Sequence, residues 1–439
     1  MIPLDTLTIS ELARGIRSGV VSAVAAVEAC LARIDGVEPA VRAWVHVDAA
    51  GALGAAKALD ADARRGVFRG LLHGIPVGLK DIFDATGMTT TSGAPSFAHR
   101  HPGADSDAMA RLRAAGAVLI GKTTTTEFAY ADSTVTRNPW NLEHTPGGSS
   151  SGSAAAVAAR MIPFALGSQT IGSTLRPAAY CGIVGLKATH GLISADGVTP
   201  LAWSLDHVGI FTRSVDDAAI VLSVLAGSMP AGSGGGTPLA RPPRLGIPRA
   251  LFAGTAGRDV QAHLDAVAAM FSGAGAIVED VAAPPSAAVL HDAGQVVLRG
   301  DAAAYHAAQF AAHADGYRPK IRGLVEAGLK TPAVDYVNAQ RIRSQFKREM
   351  QPIFAQWDAL LMPVAPTTAP RGFETTGDPS LCAPWSYGGF PSISLPSGLA
   401  GDRLPLAVQL GAGAGAEDRL LGVARWCEGR LAFAGAPPL

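Results

Sequence analysis

Short apolar runs set between helix-forming stretches restrict this chain more than any other feature of its sequence. Gly74-Ile75-Pro76-Val77-Gly78-Leu79 closes on Lys80, 117–120 follows a helical 107–115, and 244–247 and 276–281 flank a helical 260–271. Runs of this length bounded by turn residues suit buried strands, and helix alternating with strand suits layered α/β packing. Further apolar strands are expected at 360–364 and 392–396. A lysine ending such a run is unusual, because an ammonium is costly to remove from water.

Elsewhere the helical signals are local. Thr8-Ile9-Ser10-Glu11 fits a capping box, Gly19 interrupts that helix, and Ser22 caps a second one from 23 to about 34, with Val24, Val27, Cys30, Leu31 and Ile34 on one face. Residues 1–65 therefore read as mostly helical, 66–225 as the central part, and 244–439 as a C-terminal part. The segment 226–243, with Gly232-Ser233-Gly234-Gly235-Gly236 and Pro242-Pro243, has linker composition and would separate two subdomains. A strand-to-helix transition is expected over 123–131 and a helix over 154–160. A charged helix over 333–354 carries Arg341, Arg343, Lys347 and Arg348 on what reads as a solvated face, and a closing helix spans 417–431.

Composition removes several function classes. Lys and Arg number 36 against 36 Asp and Glu, so there is no excess of cations to neutralise nucleic-acid phosphates or an anionic membrane. Cys30, Cys181, Cys382 and Cys427 form no CxxC pair and sit in apolar surroundings, as reduced core thiols do. With no basic-then-apolar leader at Met1-Ile2-Pro3-Leu4-Asp5, a cytoplasmic location is expected. The histidines show no HExxH pattern, His99 and His101 read as a surface-loop pair, and neither a metal nor another cofactor is implied.

Three catalytic motifs match by letter and fail by context. Gly116-Ala117-Val118-Leu119-Ile120-Gly121-Lys122-Thr123 has P-loop spacing, yet its centre is a strand where a phosphate-cradling loop is needed, so Lys122 reads as an ion-pair partner. Ser344-Gln345-Phe346-Lys347 matches SxxK on a charged helix, without SDN or KTG elsewhere. Gly148-Ser149-Ser150-Ser151-Gly152 satisfies GxSxG, but the residues before Ser150 are polar and carry two prolines, which an elbow strand cannot.

A fourth pattern spans the chain. Lys80, the loop Pro146-Gly147-Gly148-Ser149-Ser150-Ser151-Gly152-Ser153, the stretch Ala165-Leu166-Gly167-Ser168-Gln169-Thr170-Ile171-Gly172-Ser173 and Arg176-Pro177-Ala178-Ala179-Tyr180-Cys181-Gly182 resemble the amidase signature family. The likeness continues through 389–398 and the Gln409-containing 406–411. It implies one large α/β domain over 1–439, with a central mixed sheet covered by helices on both faces. It also implies Ser173 as nucleophile, Ser149 as a bridging serine after a cis peptide, and Lys80 as base. The backbone N–H groups of Thr170, Ile171, Gly172 and Ser173 would form the oxyanion hole. Gln169 replaces the usual Asp and Ile171 the usual Gly. Arg176 lies three residues after Ser173, as in malonamidase-type members, and would pair with a substrate carboxylate, with Gly148 and Tyr130 lining the pocket. Asp206 and His207 are further pocket candidates. The implied substrate is a small-molecule amide, with no nucleic-acid or membrane partner, and a homodimer stays open. The alternatives are a glutaminase-type subunit of an aminoacyl-tRNA amidotransferase, a non-catalytic member kept for binding and, from another class, a P-loop nucleotide-binding protein.

Overall fold

The computed structural model describes residues 4–227 and 239–439, and among them eleven strands form one mixed sheet. In chain order they are β1 Trp44–Val47, β2 Pro76–Lys80, β3 Val118–Thr123, β4 Phe164–Gln169, β5 Val184–Lys187, β6 His207–Thr212, β7 Arg244–Ile247, β8 Ile277–Asp280, β9 Ala359–Pro363, β10 Ser392–Leu399 and β11 Pro405–Gly411. Across the sheet the order is β1-β3-β2-β4-β6-β5-β10-β11-β9-β7-β8. The pairs β3/β2, β2/β4, β9/β7 and β7/β8 are parallel, and the rest are antiparallel.

The apolar runs do not alternate because both faces of the sheet are covered. Every residue of β2, β3, β4, β5 and β6 is buried. Phe164 and Leu166 of β4 and Ile210 of β6 join one large core, while Ala165 and Phe211 join a second core with the helices Ala23–Val41, Ala49–Arg64 and Ser151–Ala158. Neighbouring side chains on a strand thus enter opposite layers.

The local signals map onto elements. Thr8 caps Ile9–Arg17 with the reciprocal Glu11 bond, and Ser22 caps Ala23–Val41, which runs past the expected end. The four cysteines are free and buried. Residues 118–123 of the P-loop match are β3, and Lys122 Nζ pairs with Asp81 Oδ1 at 3.0 Å, both inaccessible to solvent. His99 and His101 are exposed.

The structure refines several of these expectations. Residues 1–65 are mostly helical, as expected, and add one short strand, β1, whose partner β3 lies about 75 residues on. Residues 166–169 of the signature stretch are the end of β4, and 170–173 form the turn after it. The 226–243 segment, of which 228–238 lie outside the described residues, does not divide the sheet, because β5 pairs with β10. Arg343 is not solvated: only 5% exposed, it donates from Nε to the Tyr387 carbonyl and from Nη2 to the Ser204 carbonyl. Arg341 and Arg348 on the same helix, Ala333–Gln356, are exposed as expected.

Candidate active site

Parallel pairing of β2 with β4 matches Leu79 with Leu166, so both chains leave the sheet at the same edge. Ligand sites in open α/β sheets lie beyond such carboxyl ends. Lys80 ends β2, and Ser168 and Gln169 end β4. A third segment, 146–153, is laid against this edge by its serines. Ser150 Oγ donates to the Ser168 carbonyl (3.1 Å) and accepts from the Ser168 N–H (3.2 Å), while Ser153 Oγ donates to the Leu166 carbonyl (2.9 Å). Ser150 is therefore a strut between loop and strand, not an exposed elbow serine. The approach requires glycine at two points: a Cβ on Gly167 would lie 2.6 Å from Ser150 Oγ, and one on Gly152 would run into the Ala43 carbonyl and the Thr124 nitrogen.

Within this frame Lys80 is inaccessible to solvent, and its Nζ lies 2.6 Å from Ser149 Oγ and 2.8 Å from Ser168 Oγ. Burial pushes the Lys80 ammonium down to about 7, opposed by the charge of Asp206. At neutral pH a large share of Lys80 is then an uncharged amine able to accept a proton. Ser149 follows a cis Gly148–Ser149 peptide, and its carbonyl accepts from the Thr126 N–H.

Ser173 lies on the turn between β4 and the helix Leu175–Cys181, at 9% exposure. The turn is held from behind at several points. The Gln169 side chain accepts from the N–H groups of Thr174 and Leu175, both at 2.9 Å, and donates to Ser386 Oγ, which in turn donates to the Ile171 carbonyl. Thr170 Oγ1 donates to Asp206 Oδ1 at 2.6 Å. Gly172 packs against Pro379, which a Cβ would reach at 2.9 Å. Gln169, the departure from the usual Asp, thus supplies both acceptor and donor support. The N–H groups of Ile171, Gly172 and Ser173 have no acceptor among the described residues.

The expected substrate-binding residues fare differently. Arg176 is 4% exposed, and its guanidinium is engaged within the protein, from Nη1 to the Gly377 carbonyl (2.5 Å) and from Nη2 to the Gly148 carbonyl (2.6 Å) and Thr376 Oγ1 (3.0 Å). Among the described residues, its Nε alone finds no partner. The cation assigned to a substrate carboxylate here holds the carbonyl of the residue before Ser149. Gly148 is hemmed in by Thr376, whose Cγ2 a Cβ would meet at 2.6 Å. Tyr130 is half-buried and faces a groove of about 460 Å³ with Gln295, Arg299 and Lys320. A separate cavity of about 230 Å³ is lined by Ala129, Ser168, Trp203, Asp206 and His207.

Three residues of the site and its surroundings escape the sequence reading: Ser168 as second partner of Lys80, Ser386 behind the turn, and buried Arg343. Ser168 stands five residues before Ser173 inside the quoted stretch, and its position is the available signal. Among the described residues no group of three or more His, Cys, Asp or Glu side chains is arranged to hold a metal, and no helix is long and apolar enough to cross a membrane.

Comparison with known proteins points to one family. The family model described as Amidase matches residues 25–421. A glutamyl-tRNA(Gln) amidotransferase subunit from Roseiflexus castenholzii (strain DSM 13941 / HLO8) is 36% identical over 96% of this chain and 95% of its own length. Among solved structures, one described as an amidase superimposes with a TM-score of 0.90 at 31% identity, covering 97% of this chain and all of the other. The native peptide amidase from Stenotrophomonas maltophilia gives 0.83 at 28% identity, with 99% of each chain covered.

Proposed function

The chain belongs to the amidase signature family, and on that premise we propose that it cleaves a carboxamide C–N bond through Ser173, Ser149 and Lys80. The observation that carries the reading is Lys80, buried at the end of β2 with two serine hydroxyls and no carboxylate in hydrogen-bond reach. Ser173 Oγ attacks the amide carbonyl while its proton passes through Ser149 to Lys80 Nζ, since a serine hydroxyl both donates and accepts. The developing oxyanion is received by the N–H groups of the 170–173 turn, of which those of Ile171, Gly172 and Ser173 have no acceptor among the described residues. Collapse of the tetrahedral species returns the proton by the same path to the departing nitrogen, leaving an acyl-Ser173 ester. Water, activated in the reverse sense, then releases the acid and restores the hydroxyl. No cofactor enters any step.

A panel of amide substrates, run on wild type beside Ser173→Ala and Lys80→Ala, tests this reading. Turnover and covalent labelling by a fluorophosphonate should both vanish in Ser173→Ala, and substantial residual turnover there would remove the proposal. A folded wild type that resists the fluorophosphonate would favour a non-catalytic, binding member.

The relative from Roseiflexus castenholzii favours a narrower reading, in which the amide is glutamine and this chain is the glutaminase-type subunit of a tRNA amidotransferase. Glutaminase activity that appears only with partner subunits and tRNA present would establish it. Against Arg176 as the partner of a substrate carboxylate stands its engagement with the Gly377 and Gly148 carbonyls. The four buried free thiols suit a reducing, cytoplasmic setting.

A further inference from the structure

The 170–173 turn is tied to a second loop by one carboxylate that the reaction scheme leaves unused. Asp206 is acceptor to three donors: Thr170 Oγ1 at 2.6 Å on Oδ1, and the N–H groups of Leu201 and Ala202 at 2.8 and 2.9 Å on Oδ2. The first belongs to the turn that carries Ser173, and the others to the segment before β6. Asp206 also lines the cavity of about 230 Å³ whose wall includes Ser168, the second hydroxyl on Lys80. We propose that Asp206 is a positioning residue of this site, fixing the 170–173 turn through Thr170 and placing a carboxylate across the cavity from the Ser168–Lys80 pair.

The inference rests on the Ser173–Ser149–Lys80 reading. Its two parts have separate physical causes. An oxyanion donor works only if it is already in place, and Thr170 begins the run of amides beside Ser173. Loss of its side-chain anchor frees the turn at one end while Gln169 and Ser386 still hold the other. The electrostatic part follows from burial. Asp206 and Lys80 lie in the same low-dielectric region, where each favours the charged form of the other. Other charged and titratable groups nearby are differently occupied. Asp81 is paired with Lys122, His207 is held neutral by burial, and Arg343 holds the Ser204 carbonyl. Lys187 beneath His207 donates to the Phe390 and Ala188 carbonyls, and Asp196 stands at the cavity rim.

The test follows the rate of inactivation by a fluorophosphonate, which reports Ser173 reactivity without a known substrate, together with turnover of p-nitrophenyl acetate. Asp206→Asn should move the acid limb of the inactivation rate towards lower pH by about one unit, because loss of the carboxylate makes the Lys80 ammonium easier to deprotonate. Thr170→Val should lower kcat by roughly 10- to 100-fold with little change in KM. Thr170→Ser, which keeps the hydroxyl, should restore it. An unmoved limb in a folded Asp206→Asn protein overturns the electrostatic part, and wild-type kcat in Thr170→Val overturns the positioning part. If Asp206→Asn fails to fold, the Thr170 pair still decides the positioning part. In that event the limb is read in Asp206→Ser, which also removes the charge, and an unmoved limb there overturns the electrostatic part. Labelling of Ser173→Ala in the same assay would instead sink the reading beneath it.

Discussion

Two lysines on neighbouring strands meet opposite fates. Lys80 on β2 and Lys122 on β3 are both inaccessible to solvent, and Leu79 stands level with Lys122 in the ladder. Burial lowers the pKa of both. Lys122 lies 3.0 Å from the Asp81 carboxylate and is further bonded to Thr90 Oγ1 and the Thr89 carbonyl, so its ammonium is compensated. Lys80 has only hydroxyls. The partner, not the depth, decides whether a buried lysine is held as a compensated cation or left able to accept a proton. Lys187 adds a refinement. Its pKa is also pushed down to about 7, yet it donates to main-chain carbonyls, which cannot relay a proton to a nucleophile. A lowered pKa without a hydroxyl in hydrogen-bond contact does not supply a proton path.

The contrast can be broken at several points. The largest effect belongs to Lys80→Ala, which should lower kcat by roughly 10⁴-fold or more across the amide substrates. Asp81→Ala comes next: leaving Lys122 buried and unpaired should cost about 3–5 kcal/mol, read as a lower midpoint in urea unfolding. A stability gain there would show that the Asp81 pair is not what compensates Lys122.

Lys80→Met sharpens the contrast by its sign. A lysine whose folded pKa falls from 10.5 to about 7 binds fewer protons folded than unfolded across that window. Wild-type stability should therefore rise with pH from about 7 towards 10.5, and the full penalty applies below 7. Near neutral pH, Lys80→Met should gain about 1–3 kcal/mol while losing activity, and the pH slope should shrink with it. The same proton explains the rate, since kcat/KM should climb with pH through about 7 as neutral Lys80 accumulates. The smallest effect is expected of Lys187→Met, with kcat within about threefold of wild type. A loss as large as that of Lys80→Ala would mean that carbonyl partners suffice.

What is legible in the sequence follows the range of the interactions. Capping at Thr8 and Ser22, the runs that form β2, β3, β7, β9 and β10, and the closing helix Glu417–Leu431 depend on neighbours a few residues away. The meeting of Lys80 with the 146–153 segment and the end of β4 is readable only as a family pattern, since nothing local brings residue 80 to within hydrogen-bond reach of residue 149. Arg343 reads wrongly from sequence because its acceptors, Ser204 and Tyr387, are 139 and 44 residues distant. The 27-residue helix Ala287–His313 leaves no clear mark, its alanines and glycines giving little periodic signal. Arg176 is recognisable as a buried cation of the site, but the carbonyls it holds come from Gly148 and Gly377, and only the folded chain could supply the latter.

The seam between β5 and β10 has a consequence for biosynthesis. Strands β1 to β6 are complete by residue 212, and β5 lies at the edge of that half-sheet until Ser392 pairs with Lys187. At ~5–20 residues per second the ribosome needs roughly 10–40 s to make the intervening stretch. Throughout that interval an apolar edge with unpaired backbone groups stands open to other nascent chains. Yield of the native protein should therefore depend on translation speed and on chaperones that shield strand edges, more than on the stability of the finished sheet.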